Sequence, residues 1–584
     1  MPTLVGVVSS IARVVVDVTG VDKPFDYLIP AELATAVVVG ARVRVPLHRR
    51  EVPGWVMSVL DADASDVDAV RLLSVSKVTS IGPSAEIVAL AEWAAARWAA
   101  RRRAFFVAAS PATRVLRLVG SRRTSKATSD LEPQVCDLLD RGGGVVRSGP
   151  ASDAMPAVLA AMSRGPTLVV APTVARARRI AAECRRLGRS TALYPDEWMA
   201  AASGVDVVVG ARSAIWATVP ELAAIVVVDE HDDTLQEERS PTWHAREVAI
   251  ERAGRLDIPC LLESAVPTIA ALEWANGRIA ESSDAKRWPP IRLVDRNADE
   301  RWASSLVTSD LVGLLRDPQK RIVCVLNVKG RARAVACDAC RTVARCEHCG
   351  AGMSQPTNDV LSCVRCGVER PVVCLGCGSQ KLRSIRIGIS RLRDELEAAA
   401  GRRVQEVTPR TESLDPTADI FVGTEAVLHR VDRADVVVFL DIDAELLAPR
   451  FRAAEQTLDL VAHGARLVAP HGSSAGGEVV LQTAVPRHEL LMGLVAGDLS
   501  AHVTAETTRR QRLRLPPFGA LAELSGPGVA SAQTVLAQSM LVEVAARDDS
   551  TLVRAANWHD LSVALATLPR TKQRLRIAVD PPRV

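Results

Sequence analysis

The sequence predicts a multidomain α/β protein, and three observations carry that reading. The chain has 584 residues, enough for about four domains of ordinary size. From about residue 131 to residue 486, continuous apolar runs alternate with helical stretches. Runs without polar alternation are strands covered on both faces, hence a parallel sheet flanked by helices. Within that pattern, eight of the 12 cysteines fall between Cys337 and Cys377.

Composition excludes several classes. Charged residues make up 24% and hydrophobic ones 48%, which rules out wholesale disorder. Aromatics are 3%, so a dense base-stacking surface is not expected. A net charge of +4 is too small to imply a polyanionic partner by itself. No run reaches the roughly 18 apolar residues of a membrane span. The run Leu4 to Val18 contains Arg13 and Asp17 and has no basic segment before it, so a signal peptide is not expected. Clustered thiols fit a cytoplasmic metalloprotein better than a secreted disulfide scaffold.

The elements follow in chain order. Residues 1–82 read as β-rich: ARVVVDV (12–18), ARVRVPL (41–47) and GWVMSVL (54–60) carry β-branched residues, with Gly and Pro between them. Residues 84–106 read as one helix, with Ile87, Leu90, Trp93, Ala94 and Trp98 at helical spacing. Arg101, Arg102 and Arg103 are expected to close it, as cations suit a helix C-terminus. Arg114 to Asp130 reads as a linker. A first α/β lobe is expected over 131–305, from TLVVAP (167–172), DVVVGA (206–211), AIVVVDE (224–230) and PCLLES (259–264). A second is expected over 306–486, from RIVCVLN (321–327), ADIFVGT (418–424) and DVVVFLDID (435–443). Residues 487–584 form a last unit ending in the strand-like RLRIAVD (574–580).

The cysteines form four CxxC pairs: Cys337/Cys340, Cys346/Cys349, Cys363/Cys366 and Cys374/Cys377. A two-residue spacer presents two thiolates from one tight turn, and two such turns complete a tetrahedral S4 site. Eight sulfurs therefore imply two zinc ions, with iron–sulfur as the rival. The pairing is sequential or nested. Nesting is preferred, because sequential pairing leaves very short loops between pairs. It places Cys346, Cys349, Cys363 and Cys366 on one metal and Cys337, Cys340, Cys374 and Cys377 on the other. Closed S4 sites leave no open position for catalysis, so a structural role is expected.

VVVDEHDD (226–233) is a strand ending in acids. In nucleoside triphosphatases an Asp there positions Mg²⁺. Its surroundings, VGARSAIWA (209–217), PTWHAREVA (241–249) and ESAVPT (263–268), resemble the PriA family, the primosomal replication-restart helicases. PFDYLIP (24–30) and GARVRVPL (40–47) resemble that family's module for the 3′ end of a nascent strand. IFVGTEAVL (420–428), DIDAELLAPRFRAAE (441–455), GGEVVLQT (476–483) and LPPFGAL (515–521) follow in family order.

The resemblance implies a full architecture. Residues 1–82 would be the 3′-end DNA-binding domain, and 83–130 a winged-helix-like segment and linker. Residues 131–305 and 306–486 would be RecA-like helicase lobes, the second carrying a double zinc insertion at 337–380. Residues 487–584 would be a small α/β domain. Phe25 and Asp26 match residues the family uses around a 3′ end, and Arg44, with Arg42, Arg49 and Arg50, is a candidate phosphate contact. The resemblance also implies forked and single-stranded DNA, single-stranded DNA-binding protein, the replicative helicase and other primosome proteins as partners.

Departures from the family pattern bear on ATP and Mg²⁺. A Walker A loop needs glycine N–H donors, a Lys for the β/γ-phosphates and a Ser/Thr for Mg²⁺. The corresponding VVRSGPASDAM (145–155) offers Gly149, then Pro150 and Asp153, and no lysine lies between Lys126 and Lys286. Asp229 and Glu230 stand in an acidic motif one residue short of the family's DEEHD. Glu263 replaces the Gly of GSATPS. LVAHGARL (460–467) stands for QVAGRAGR, with Gly464 and Leu467 at the arginine positions and Arg466 one residue out of register. Asp229 and Glu230 then read as vestigial, and no catalytic residue is assigned. The leading reading is a replication-restart protein that recognises abandoned forks without being a motor. The alternatives are an active ATP-dependent 3′–5′ helicase and a zinc-organised scaffold for primosome contacts.

Overall fold

The computed structural model describes residues 10–61, 72–124, 131–298, 306–326, 335–340, 342–348, 353–355, 359–363, 368–384, 389–468, 477–547, 549–569 and 573–584. The multidomain α/β expectation holds, with an antiparallel N-terminal sheet and two parallel lobes.

The N-terminal sheet orders its strands Pro24–Leu28, Ser10–Val16, Arg50–Asp61, Arg42–Leu47 and Lys77–Ser80. Alternation decides its faces. Val43 and Val45 are buried with Val14 and Val56, while Arg42 and Arg44 lie half-buried on the other side. The hairpin joining Arg42–Leu47 to Arg50–Asp61 turns through His48 and Arg49, at φ 47° and 64°.

The single helix expected over 84–106 is two helices, Ala85–Arg97 and Arg102–Ala109. Ala99 takes the left-handed conformation at φ 46° and turns the chain back. Arg102 and Arg103 therefore open the second helix rather than closing the first. The Arg102 backbone N–H donates to Asp22 Oδ1 at 3.0 Å, and Arg103 Nε donates to Asp17 Oδ1 at 2.6 Å. The break lets Trp98, Phe105 and Phe106 bury together with Trp216 of the first lobe. Two helices and no strand occupy 83–124. Residues 121–124 lie along the first lobe, where Arg122 N donates to Gly204 O and Thr124 to Asp206.

The first lobe is a seven-stranded, wholly parallel sheet. Its order is Ile279–Glu281, Gly143–Arg147, Cys260–Ser264, Ala224–Val227, Thr167–Val170, Val207–Gly210 and Thr191–Tyr194. The second is a six-stranded parallel sheet in the order Ile291–Asp295, Glu478–Thr483, Val436–Phe439, Ile322–Val325, Ile420–Gly423 and Val404–Val407. Four central strands of the first lobe, those at 167, 207, 224 and 260, have no exposed residue, which is why their sequences read as unbroken apolar runs. Two short antiparallel pairs build the insertion: Val335–Cys337 with Leu382–Ser384, and Val360–Ser362 with Glu369–Pro371.

The last unit is a four-stranded antiparallel sheet with helices Val529–Leu536 and Trp558–Ala566. Its inner residues Leu524, Val553 and Val579 join one core with Leu90, Phe106 and Ile225. The chain's last segment thus packs back onto the first lobe. Among the described residues no helix is long and apolar enough to cross a membrane.

Candidate functional site

Ligands of open parallel sheets bind at the carboxyl ends of the strands. In the first lobe those ends carry residues 148–154, 229–233 and 263–268. Facing them is the helix Ala453–Val468 of the second lobe, which buries almost every residue. Its polar residues Gln456, Asp459, His463 and Arg466 recur every three or four positions, continuing Arg452 just before it, with Glu455 beside them. They point across the cleft as a stripe.

Arg466 spans the gap. Its Nε donates to the Pro150 carbonyl at 2.7 Å and its Nη2 to Asp229 Oδ1. Asp229 also has Arg176 Nε at 3.6 Å. Burial alone would raise the Asp229 carboxyl, but Arg466 and Arg176 outweigh it and hold it below the usual range. The out-of-register arginine therefore reaches the very strand end that the motif argument left it short of. Gly464 could not do so as an arginine: a Cβ there meets Phe439 Cε2 at 2.8 Å. Leu467 is buried in the second lobe's core.

Glu230 is fully engaged in holding neighbours. Arg246 Nη1 and Thr268 Oγ1 both donate to Oε2 at 3.0 Å, and the Thr268 N–H donates to Oε1 at 2.8 Å. Burial still pushes its carboxyl up. His244 and Arg246, unassigned by spacing, thereby acquire roles. His244 caps the helix Ala245–Leu256 through Arg246 N, and Arg246 pairs with Glu230. Glu263 accepts from Ser148 Oγ and from the Asp229 N–H, so it ties the loop after Gly143–Arg147 to the acidic strand end. Burial, then the adjacent Asp229, raise its carboxyl.

The loop 148–154 is poor in phosphate donors. Pro150 has no N–H. The helix Met155–Met162 has its first turn occupied by Asp153, whose Oδ1 accepts from Met155 N at 3.0 Å. That carboxylate sits where a Walker-type helix would offer its N–H groups to phosphate. A Cβ on Gly149 would meet the Asp284 carbonyl at 2.7 Å, so this glycine serves close packing. These residues do not fit a magnesium nucleotide of the family kind.

Four of the described cysteines, Cys337, Cys340, Cys374 and Cys377, are brought together as the outer nested set. Cys337 Sγ lies 3.5 Å from Cys377 Sγ, and Cys340 Sγ 3.4 Å from Cys374 Sγ. All four sulfurs fall within 4.8 Å of one another. Four thiolates at that spacing fit the zinc–sulfur bond of ~2.3 Å after slight expansion. The cluster is compatible with zinc. Cys346 and Cys363 are buried in the small core of the insertion, with Met353 and Leu361. Cys349 and Cys366 lie outside the described residues.

The candidate DNA contacts sit on the N-terminal sheet. Asp26 is held by a two-pronged pair from Arg13, Nε to Oδ1 at 2.9 Å and Nη2 to Oδ2 at 3.0 Å. Phe25, beside it, is half-buried against the sheet's core. Arg44 donates to the Glu51 carbonyl at 3.3 Å, while Arg49 and Arg50 are exposed at the hairpin tip.

Comparison with known proteins agrees with this geometry. Residues 13–111 match the family model of the PriA 3′ DNA-binding domain. Replication restart protein PriA of Bacillus subtilis (strain 168) is 30% identical over 57% of this chain and 45% of that protein. Probable replication restart protein PriA of Mycobacterium tuberculosis (strain H37Rv) is 29% identical over 87% of this chain and 85% of that protein. Across several bacteria, the proteins named replication restart protein PriA are 26–30% identical to this chain over much of its length. The match to the Bacillus subtilis PriA spans under half of that relative's length, whereas the match to the mycobacterial PriA spans most of it. Among solved structures, Saccharomyces cerevisiae Dbp5 bound to RNA and ADP BeF3 aligns with a TM-score of 0.34 at 11% identity, covering 65% of this chain and 92% of that chain. Likeness at that level carries no inference about activity.

Proposed function

We propose that this chain is a PriA-family replication-restart protein of the cytoplasm that binds stalled or abandoned forks without driving unwinding itself. Its N-terminal sheet takes the 3′ end, with Phe25 beside the base and Asp26, positioned by Arg13, at the terminal hydroxyl. Arg44, Arg49 and Arg50 contact phosphates. The strained hairpin tip supports this: non-glycine residues at positive φ are costly and collect at functional loops. The two lobes then act as a frame on which single-stranded DNA-binding protein, the replicative helicase and other primosome proteins assemble. Two zinc ions organise the insertion, the second on Cys346, Cys349, Cys363 and Cys366. The division at 82, 130 and 486 belongs to the same proposal, with the lobe boundary expected at 305 moved before Ile291, whose strand pairs with Glu478–Thr483 of the second lobe.

One observation carries the loss of the motor. Arg466 is paired with Asp229 and with the carbonyl of Pro150, so the place of metal and phosphate is filled by the protein's own charges. An arginine finger and a phosphate lysine act on transferring phosphate; here the arginine is engaged by Asp229, and no lysine lies between Lys126 and Lys286. Fork binding measured against plain duplex at several salt concentrations tests the DNA reading. A preference for forks with an exposed 3′ end is expected, weakening as salt rises. Phosphate release in the presence of single-stranded DNA tests the motor. None is expected, and turnover abolished by Glu230→Gln would instead establish the active-helicase reading.

A further inference from the structure

The last sheet has two edges, and the molecule treats them differently. Its strand order is Val542–Ala546, Ser550–Ala555, Ala520–Ser525 and Arg576–Val579. The edge at Arg576–Val579 is covered by the first lobe, where Ser240 Oγ donates to the Ile577 carbonyl at 3.2 Å and Thr242 Oγ1 to the Val579 carbonyl at 2.7 Å. The strand Val542–Ala546 is the opposite edge, and among the described residues it pairs only with Ser550–Ala555. An open strand edge is a template for another strand.

The hairpin fixes which main-chain groups that edge offers. The Arg547 N–H donates to the Ser550 carbonyl at 2.8 Å, in register with the ladder that precedes it. Hydrogen-bonded positions alternate along an antiparallel pair, so Glu543 and Ala545 also turn their main-chain groups toward Ser550–Ala555. Val542, Val544 and Ala546 turn theirs outward. Side chains alternate as well. Val542 and Val544 pack against the core, while Glu543, Ala545 and Arg547 are exposed on the other face. Among the described residues the side chains of Glu543 and Arg547 make no hydrogen bond or ion pair. Arg554, across from Glu543 in the ladder, donates to the Leu513 carbonyl instead.

We propose that this edge pairs with the same edge of a second copy of the chain, forming an antiparallel two-fold dimer centred on Ala545. In that register Val544 faces Ala546 of the second copy and exchanges two main-chain hydrogen bonds with it, and the symmetry repeats the exchange. Glu543 then stands opposite Arg547 on both sides of the axis, at the non-hydrogen-bonded position where side chains come closest. Opposite charges so placed attract. The charges also select the register. Sliding the strands by two residues, the smallest step that keeps the main-chain bonds, sets Glu543 against Asp549 in one direction and against Ala545 in the other. The small side chain of Ala545 sits on the axis, where two copies must approach most closely. One particle then carries two copies of the DNA-binding domain matched at residues 13–111.

Sedimentation equilibrium of the full chain, without DNA and over a range of concentrations, tests the proposal. The mass is expected to rise from one chain to two. Glu543→Arg and Arg547→Glu each place like charges opposite one another on both sides of the axis, and each should weaken the dimer on the order of tenfold. Combining Glu543→Arg with Arg547→Glu restores opposite charges and should recover the wild-type association. Ala546→Pro removes an outward N–H while sparing the chain's own ladder, and should abolish pairing. All three positions are exposed, so the folded state is retained. A wild type that keeps the mass of one chain up to its solubility limit overturns the proposal and leaves the charges as a guard against strand pairing. A dimer indifferent to these substitutions, or a combined variant that does not recover association, overturns it equally.

Discussion

At the scale of single residues, the cleft is organised by charges that replace one another's partners. Asp229 is 1% exposed, and its main cation is Arg466 from the other lobe. Removing one partner of a buried pair leaves an uncompensated charge. Arg466→Ala is therefore expected to destabilise the chain by about 3 kcal/mol, read from urea unfolding. Leu467→Ala costs a similar amount by a different route, a cavity in the second lobe's core, and leaves the Arg466 pair intact. Glu263 makes a pH-dependent contribution. Its carboxyl is raised in the fold by burial and by Asp229, so the folded state holds the proton longer than the unfolded one. That contribution is fully present below the ordinary glutamate value and is lost as pH rises toward the raised one. Glu263→Gln should match the wild type in stability at pH 4 and exceed it at pH 8, by denaturant midpoint at each pH.

At the scale of elements, the helix Ala453–Val468 is the connector between the lobes. Glu455 at its start accepts from the Ile269 N–H at 2.9 Å and pairs with Arg510 at 2.8 Å, joining three segments. Burial would raise this carboxyl, but Arg510 and Arg452 outweigh it and draw it down to about 2. A depressed carboxyl stabilises above its unfolded value, and the contribution fades as pH falls from ~4.5 to ~2. A drop of ~2.5 units corresponds to about 3 kcal/mol. Glu455→Gln should remove that share of the wild type's stability loss over the acid window, read from denaturant midpoints at each pH. Arg452 extends the connection, gripping Asp580 of the last strand's end at 2.7 and 2.8 Å. The polar stripe was readable in principle, since Arg452, Gln456, Asp459, His463 and Arg466 recur at helical spacing. A search for apolar periodicity passes over it, because here the buried face is the charged one.

At the scale of the molecule, metal and DNA functions should separate. Stripping zinc with a chelator is expected to unravel the short strand pairs around Cys337 and Cys374, because the energy of S4 binding is also folding energy in so small a subdomain. The N-terminal sheet has its own core around Val43, Val45 and Val56. Fork binding should therefore survive chelation while partner capture falls, measured side by side on one preparation. Loss of both together would mean that the insertion supports the whole fold.

Seven interior strands of the two lobes, the β-rich beginning and the clustered thiols were legible in the sequence alone, whereas the edge strands were not. Unbroken Val/Ile runs have only one comfortable place, the interior of a parallel sheet, and CxxC spacing sets thiolate geometry locally. The turn at Ala99 was decided by tertiary contacts, since Arg102 and Arg103 find their acids at Asp22 and Asp17, some eighty residues earlier in the chain. The same holds for the cleft. Which cation neutralises Asp229, and which carboxylate meets His463 Nε2 across the cleft, depend on side chains more than two hundred positions apart. Local pattern carries no information about such distances; only the packing of one lobe on the other brings those charges within reach.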